Sequence, residues 1–250
     1  MSGVALVTGA GRGIGAAVAR LLGERGWAVA VNYARDATAA QAVVQSVREG
    51  GAQAHAFAAD VADEAQVVAL FEAIDACFGE GRLRALVNNA GVVDVACRVD
   101  EMSAQRLQRM FAINVFGSFL CAREALRRMS TRHGGAGGAI VNVSSAAARL
   151  GSPGIYVDYA ASKGAIDTFT LGLAREVAGE GVRVNAVRPG IIDTDIHASG
   201  GHDERVRDML AQLPMHRAGA PMEVAQAIAW LLSDEASYTT GALLDVSGGR

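Results

Sequence analysis

A tyrosine and a lysine stand four positions apart in the segment Tyr159-Ala-Ala-Ser-Lys163. In a helix this spacing places the phenol and the ammonium on the same face. A free tyrosine has a pKa of about 10 and is a poor base at neutral pH, but a neighbouring cation stabilises the phenolate and lowers that pKa. The pair could therefore work as a general acid and base. Because this spacing is common by chance, the prediction depends on the surrounding residues.

Two further polar residues could complete such a site. Ser145 stands at the end of a run predicted to be a strand, and its hydroxyl can donate a hydrogen bond to an oxygen on which negative charge develops. Asn114 interrupts the apolar stretch Phe111-Ala-Ile-Asn-Val-Phe, and a buried amide needs hydrogen-bond partners. Asn114 could hold a water chain to Lys163. A helix kink or an amide satisfied inside the core are the alternatives.

A glycine-rich turn follows the first predicted strand, in the stretch Thr8-Gly9-Ala10-Gly11-Arg12-Gly13-Ile14-Gly15. Glycines permit a tight turn and a close approach of the backbone to a pyrophosphate. The following helix offers free N–H groups and the positive end of its dipole to the anion. This position between strand and helix predicts a dinucleotide-binding turn. A turn with a purely structural role is the alternative.

The end of the second predicted strand indicates which dinucleotide binds. NAD sites usually place an acidic residue there for the ribose 2′-hydroxyl, but this strand ends Val31-Asn32-Tyr33-Ala34-Arg35, with Asp36 just beyond. Arg12 and Arg35 could both reach a 2′-phosphate, which suits the guanidinium geometry. The sequence therefore favours NADP(H). NAD(H) remains possible, with both arginines solvated and Asp36 on the ribose hydroxyl.

Short β-branched runs alternate with helical patterns, which predicts βαβ units. We expect an α/β fold, with one doubly wound Rossmann-type domain over residues 1–250 and a seven-stranded parallel sheet flanked by helices on both faces. The predicted strands are Val4–Thr8, Ala28–Tyr33, Ala54–Ala58, Ala85–Asn88, Ala139–Ser144, Val182–Val187 and Leu243–Val246. The predicted helices run from Gly13 to near Gly26 and over Thr38–Glu49, Glu64–Phe78, Ala104–Arg128, Tyr159–Glu176 and Pro221–Leu232. The irregular stretch Asp195–Gly219, with a short helix at Glu204–Leu213, is expected to be a substrate-side lid or a surface excursion.

Composition excludes several classes of protein. The 250 residues are 51% hydrophobic and 20% charged, which is typical of a soluble domain with a buried sheet. The net charge of -3 indicates no nucleic-acid partner. Three scattered cysteines argue against disulfides and a zinc site, so we expect no metal and a reducing, cytoplasmic location. No signal peptide is recognisable, and no apolar run approaches the roughly 18–20 residues of a membrane span.

Taken in order, these motifs resemble the short-chain dehydrogenase/reductase family over essentially the whole chain. Thr8 through Gly15 match its cofactor turn, Asp60-Val61 its adenine contact, and Asn88-Asn89-Ala90-Gly91 the motif after the fourth strand. By this resemblance the catalytic residues are Asn114, Ser145, Tyr159 and Lys163. The implied cofactor contacts are Gly9, Arg12, Gly13, Ile14, Gly15, Asn32, Tyr33, Ala34, Arg35, Asp60, Val61, Asn88, Ala90, Gly91, Tyr159, Lys163, Pro189, Gly190, Ile192 and Thr194.

The resemblance implies an NADP(H)-dependent oxidoreductase that transfers a hydride between the nicotinamide and a carbonyl or secondary alcohol. Within the family, the sequence pattern resembles 3-oxoacyl-[acyl-carrier-protein] reductase-like and sugar-dehydrogenase-like members. A 3-oxoacyl thioester and a sugar or polyol are therefore both candidate substrates. Family members pair through the helices that hold Asn114 and Tyr159, so a homo-oligomer, a dimer or a tetramer, is expected.

Some details leave other interpretations open. Tyr159 lies 14 positions after Ser145, and Tyr156 is a nearby competitor, but only Tyr159 has a lysine four residues on. A regulator that senses NADP(H) without catalysis could dispense with the phenol, the lysine and the serine, yet all three are present. A serine hydrolase built on Ser145 with His133 or His197 lacks the Gly-x-Ser-x-Gly elbow. Substrate choice should depend on residues 92–98, 149–158 and 195–214.

Overall fold

The computed structural model describes residues 3–194 and 213–250. Seven strands form one parallel sheet in the order β3-β2-β1-β4-β5-β6-β7, which confirms the predicted fold. The strands are β1 (Val4–Val7), β2 (Ala28–Tyr33), β3 (Ala54–Ala58), β4 (Leu83–Asn88), β5 (Gly138–Val143), β6 (Val182–Pro189) and β7 (Leu243–Val246). The strands that flank the order reversal, β1 and β4, are direct neighbours, so their carboxyl ends open a crevice there.

The helices connect these strands. They are α1 (Gly13–Glu24), α2 (Ala37–Glu49), α3 (Glu64–Phe78), α4 (Ala104–Phe111), α5 (Gly117–Met129), α6 (Ala147–Leu150), α7 (Val157–Val177) and α8 (Pro221–Leu232). Four short 3-10 turns lie at Val99–Glu101, Thr131–His133, Ala178–Glu180 and Asp234–Ala236. Side-chain caps begin α2 and α3, where Asp36 and Asp63 accept hydrogen bonds from backbone N–H groups of the first turn.

Alternating residues of each strand supply the two halves of the core. In β1, Ala5 and Val7 pack among the apolar residues of α1, α2 and α8. Val4 and Leu6 point the other way and pack against α3, α5 and α7. Because both faces are covered, the strands are apolar throughout rather than alternating in polarity.

The predicted continuous helix Ala104–Arg128 is wrong in its middle. α4 ends at Phe111, a π-helical turn spans Ala112–Phe116, and α5 begins at Gly117, whose N–H bonds back to the Ala112 carbonyl. The turn holds Asn114, whose side chain bonds both backbone groups of Val92. We attribute the widened turn to this contact, because the amide must reach a loop outside the helix. Such turns are frequent at functional sites.

The predicted lid lies largely outside the described residues, as does the short helix at 204–213 except for its final residue. At the edges of this gap, Ile192 pairs with Gly219 in a short parallel bridge. The lid and the single-domain extent therefore stay predictions. Among helices in residues 3–194 and 213–250, none has the length and apolar character needed to cross a bilayer. The cytoplasmic location also stays a prediction.

Candidate active site

A cavity of about 500 Å³ opens at the carboxyl ends of the central strands. Its walls come from the first turn of α1, the segment after β4, the end of β5 with the β5–α7 connection, α7, the end of β6 with the segment after it, and Arg250. The lining residues are Ile14, Asn89, Gly91, Val93, Val143, Ser144, Ser145, Ala146, Ala147, Leu150, Ser152, Pro153, Ile155, Tyr156, Tyr159, Lys163, Pro189, Gly190, Ile191, Ile192, Thr194 and Arg250. Three of the four predicted catalytic residues thus meet in one space.

Ser145 and Tyr159 face the cavity from different elements. Ser145 follows β5, and its Oγ accepts a hydrogen bond from Ala147 N at 3.1 Å at the start of α6. Tyr159 lies in the first turn of α7. Burial raises the pKa of the Tyr159 phenol above its usual 10.0, and a hydrogen bond with Ser145 opposes that rise. Two hydroxyls therefore converge where a substrate oxygen could bind.

Lys163 is held firmly beneath this pair. Its Nζ donates to the Val143 carbonyl at 2.7 Å and lies 5.7 Å from the centre of the Tyr159 ring. Burial lowers the pKa of Lys163 from 10.5 to about 8, and the charge of Asp167 opposes this shift. Sequence reasoning overlooked that Lys163 is the only lysine of the chain.

The predicted depression of the tyrosine pKa is attributed to Lys163 together with an oxidised nicotinamide, and Lys163 alone does not produce it in this geometry. The pKa of Tyr159 is raised, because removing the phenolate from water outweighs the hydrogen bond from Ser145. The amine of Lys163 is itself drawn toward neutrality by burial and bonded to the Val143 carbonyl. Lowering the tyrosine pKa would require a further positive charge, which an oxidised nicotinamide carries.

Asn114 serves first as an anchor. Its Nδ2 donates to Val92 O at 3.0 Å and to Ser162 Oγ at 3.1 Å, while its Oδ1 accepts from Val92 N at 2.8 Å. The side chain does not line the cavity, but a Cβ built on Gly91 would lie 3.4 Å from Asn114 Oδ1 and 3.5 Å from Lys163 Nζ. Both polar groups therefore border Gly91, and the water chain stays a prediction.

The glycine turn packs too tightly against neighbouring backbone for larger residues. Gly9 has a φ of 60°, and an added Cβ there would come within 2.9 Å of the Ala90 backbone. At Gly15 an added Cβ would lie 2.5 Å from Asn89 Nδ2 and 2.7 Å from the Gly9 carbonyl. Only glycine fits such close approaches. The two glycines therefore let the turn pack closely against the segment after β4, just before α1, whose N-terminus favours an anion.

Asn89 and Thr8 brace this turn, and the predicted contact residues omitted both. Asn89 Nδ2 donates to the carbonyls of Thr8 and Gly9 at 2.8 and 3.0 Å. Thr8 Oγ1 accepts from the backbone N–H groups of Asn89 and Ala90 at 3.0 Å. The side chain of Asn88 is buried and donates to Asn142 and to the Ser118 carbonyl, so its cofactor contact stays a prediction. Strand alternation was the available signal, since Asn88 ends β4 on the Leu86 face.

The residues predicted to distinguish NADP(H) from NAD(H) differ in burial. Asn32 is buried, accepts from Gly9 N at 3.2 Å and donates to the Ala59 carbonyl at 3.1 Å, so its side chain supports the turn. Arg12, Ala34 and Arg35 are exposed, whereas Tyr33 is partly buried. Asp36 Oδ1 accepts from Ala39 N at 2.9 Å and caps α2.

The remaining predicted contacts lie after β3 and at the end of β6. Asp60 is partly exposed and accepts from Ala62 N, while Val61 is buried against Gly117. Pro189, Gly190, Ile192 and Thr194 line the cavity from the segment after β6. A Cβ on Gly13 would lie 3.4 Å from the Thr194 methyl, so this segment closes over the turn.

The competing interpretations gain little from the geometry. Tyr156 also lines the cavity but has no lysine beside it. No histidine occurs among the described lining residues, His133 lies in an exposed turn and His197 lies outside the described residues. In residues 3–194 and 213–250, no cluster of three or more histidine, cysteine or acidic side chains could hold a metal. The three cysteines are free thiols.

Known sequences are similar to this chain over nearly its whole length. A family model described as enoyl-(acyl carrier protein) reductase matches residues 9–250. The Escherichia coli protein named "Uncharacterized oxidoreductase YgfF" is 56% identical over 247 residues, with 99% of each chain covered. The 3-oxoacyl-[acyl-carrier-protein] reductase FabG of Staphylococcus aureus is 39% identical, over 100% of this chain and 98% of that protein.

Solved structures are similar over the same extent. A short-chain dehydrogenase/reductase from Serratia marcescens superposes with a TM-score of 0.91 at 36% identity, covering 99% of this chain and 97% of its own. A blue fluorescent protein from a metagenomic library, in complex with NADPH, gives a TM-score of 0.90 at 36% identity with the same coverage.

Proposed function

Since the chain belongs to the short-chain dehydrogenase/reductase family, and is thus an NAD(P)-dependent dehydrogenase or reductase, we propose that it uses NADP(H) to interconvert a carbonyl compound and a secondary alcohol. The observation that carries the proposal is the meeting of Ser145, Tyr159 and Lys163 with the start of α1 in one cavity. A regulator that only sensed the cofactor would not need two hydroxyls directed at a substrate oxygen.

Each side chain has a distinct task in the proposed reduction. Bound NADPH would supply the hydride for the carbonyl carbon. Ser145 and Tyr159 hold the carbonyl oxygen, on which negative charge grows. Tyr159 gives that oxygen its proton, and the raised pKa of the phenol keeps it protonated until then. We infer that Lys163 would bind the ribose beside the nicotinamide and that Asn114 keeps the wall next to Gly91 in place.

The preference for NADP(H) rests on the end of β2. Asp36 has one carboxylate oxygen committed to the cap of α2, 2.9 Å from Ala39 N, which disfavours a role on a ribose hydroxyl. Arg12 in the glycine turn and Arg35 just after β2 are both exposed, and a guanidinium group suits a 2′-phosphate. The similar metagenomic protein was solved with NADPH.

The walls of the cavity favour a substrate with apolar substituents. Val93, Leu150, Pro153 and Ile155 are among the residues that line the cavity. A polyol would leave several hydroxyls without partners against these side chains, which costs free energy. We therefore favour a ketone or an acyl thioester over a sugar.

A substrate panel tests the proposal. β-Ketoacyl thioesters, simple ketones and aldoses would be offered with NADPH or NADH, and cofactor oxidation followed by absorbance. We expect turnover of the apolar carbonyls with NADPH. Tyr159→Phe should lose about 100-fold or more of that turnover and still bind NADPH, as judged by cofactor fluorescence. Turnover of no carbonyl, or full turnover by Tyr159→Phe, would overturn the proposal.

Two sets of variants refine it. Tyr156→Phe removes the other tyrosine hydroxyl among the described lining residues and should keep most of the turnover. If Tyr156→Phe loses turnover and Tyr159→Phe keeps it, the proton donor is Tyr156. Arg12→Ala and Arg35→Ala should each raise the KM for NADPH by about 10-fold and leave the KM for NADH unchanged. Arg132→Ala, at an exposed position in another turn, serves as the matched control.

We also propose that the chain forms a homo-oligomer. Phe116 and Phe119 are 59% and 48% exposed, and Phe119 stacks on Phe169 with ring centres 3.8 Å apart. Aromatic rings exposed side by side on two helices suit a contact with a second copy. Light scattering should give a dimer or tetramer for the wild type and a smaller species for Phe119→Asp.

A further inference from the structure

An ion pair with almost no solvent contact lies next to the proposed catalytic tyrosine. Asp158, whose side chain is fully buried, precedes Tyr159 in the first turn of α7. Its two oxygens accept hydrogen bonds from Nε and Nη2 of Arg106, on α4, at 2.7 and 3.2 Å. The Arg106 side chain is 9% exposed. A bidentate pair of this kind fixes the relative orientation of its two partners.

The same arginine also holds a wall of the cavity. The third donor of Arg106, Nη1, bonds the Val95 carbonyl at 2.7 Å, in the loop of residues 92–98 between β4 and α4. That loop is tied a second time where Cys97 N donates to the Ile155 carbonyl at 3.0 Å. Ile155 lines the cavity and lies just before α7. One guanidinium therefore connects α4, the 92–98 loop and the start of α7.

Its position in the first turn of α7 makes Tyr159 more sensitive to this connection than Lys163, although the Tyr159 carbonyl also accepts from Ser162 Oγ at 2.7 Å. α7 begins after Tyr156, which supplies no side-chain cap to the first turn. Lys163, one turn further on, is held by two hydrogen bonds of its own. Its Nζ donates to the Val143 carbonyl at 2.7 Å, and its carbonyl accepts from Ser144 Oγ at 3.2 Å. Disturbing the first turn should thus move the phenol and leave the lysine in place.

We propose that Arg106 and Asp158 are positioning residues that set, through one ion pair, both the Tyr159 phenol and the substrate wall formed by the 92–98 loop. The inference rests on the proposed function. Apolar residues usually stabilise a buried position as well as an ion pair does. Stability alone therefore does not call for two charges here, whereas a defined orientation at the active site does.

Asp158→Asn is the direct test, because it keeps the size of the side chain and removes its charge. The matched control is Asp75→Asn. Asp75 accepts from Arg128 Nε at 2.6 Å and so joins α3 to α5. The side chains of Arg128 and Asp75 are 16% and 19% exposed. For each variant we would measure kcat and KM for a carbonyl turned over by the wild type, the Kd for NADPH, and the urea midpoint.

Asp158→Asn should lower kcat by about 10- to 100-fold, the range expected for a reacting group displaced by an ångström or less. Its Kd for NADPH should stay within about threefold of the wild type, because Lys163 and the glycine turn are untouched. Asp75→Asn should lose urea stability and keep kcat. Wild-type kcat in Asp158→Asn, or equal losses of kcat in the two variants, would overturn the inference.

A second variant covers the case in which Asp158→Asn does not fold. Arg106→Lys keeps the charge for Asp158 but cannot also reach Val95, since an ammonium lacks the guanidinium fork. We expect its KM for the carbonyl to rise about 10-fold while kcat falls less; an unchanged KM would refute the role of the 92–98 loop. If instead Tyr159→Phe retained turnover, the proposed function itself would fail, so the two failures are distinguishable.

Discussion

Replacing Lys163 with methionine should stabilise the cofactor-free protein at neutral pH while abolishing carbonyl reduction. Lys163 is 4% exposed, and burial lowers the pKa of its amine from 10.5 to about 8. Methionine fills a similar volume without a charge, so the variant avoids the cost of burying an ammonium. It also loses the hydrogen bond to the Val143 carbonyl.

The magnitude follows from the pKa. A fall from 10.5 to about 8 corresponds to about 3 kcal/mol, at about 1.4 kcal/mol per unit. The lost bond to the Val143 carbonyl offsets about 1 kcal/mol. At pH 7 folded and unfolded wild type both carry the ammonium, so the full burial cost applies and the variant should be about 2 kcal/mol more stable.

The sign of the pH dependence is fixed by which state holds the proton. Between pH 8 and 10.5 the unfolded wild-type chain still binds the lysine proton, whereas the folded protein has lost it. Wild-type stability therefore rises with pH relative to the variant. The advantage of the variant should shrink by about 1.4 kcal/mol per pH unit above pH 8 and reach zero at about pH 9.5.

Urea unfolding, followed by the fluorescence of Trp27 and Trp230, measures this difference from pH 7 to 10. Protein concentrations are kept equal, because oligomers gain apparent stability with concentration. Arg175→Met, which removes an exposed cation from the same helix, should show no such pH-dependent difference. A gap between Lys163→Met and wild type that stays constant over this range would refute the assigned burial cost.

Three further predictions concern the amine, the glycine turn and the cap of α2. Because Lys163 is the only lysine, an amine-directed acylating reagent should modify one side chain. Bound NADPH should protect that side chain. If mass spectrometry finds this adduct at equal levels with and without NADPH, Lys163 does not lie in the cofactor site. Gly15→Ala pushes a Cβ to 2.5 Å from Asn89 Nδ2 and should weaken NADPH binding by about 10-fold or more; Gly172→Ala, with open space around it, is the control for this titration. Asp36→Ala should lower unfolding free energy by about 1 kcal/mol without raising the KM for NADH, and a raised KM would assign Asp36 to the ribose.

The sequence by itself determined the elements of the fold. Hydrophobic periodicity and flanking glycines predicted Ala54–Ala58, Glu64–Phe78 and Pro221–Leu232 at the observed boundaries, because such signals are local in the chain. The same holds for the glycine turn, whose spacing reflects how one strand passes into one helix.

Only the tertiary structure decided how side chains of distant segments meet. The π-helical turn at Asn114 forms around the backbone of Val92, 22 positions away, and the partner of Asp158 lies 52 positions before it. The pKa values of Tyr159 and Lys163 depend on how much water the folded chain removes from them. Burial and long-range contacts are properties of the packed molecule, and no local pattern of residue types encodes them.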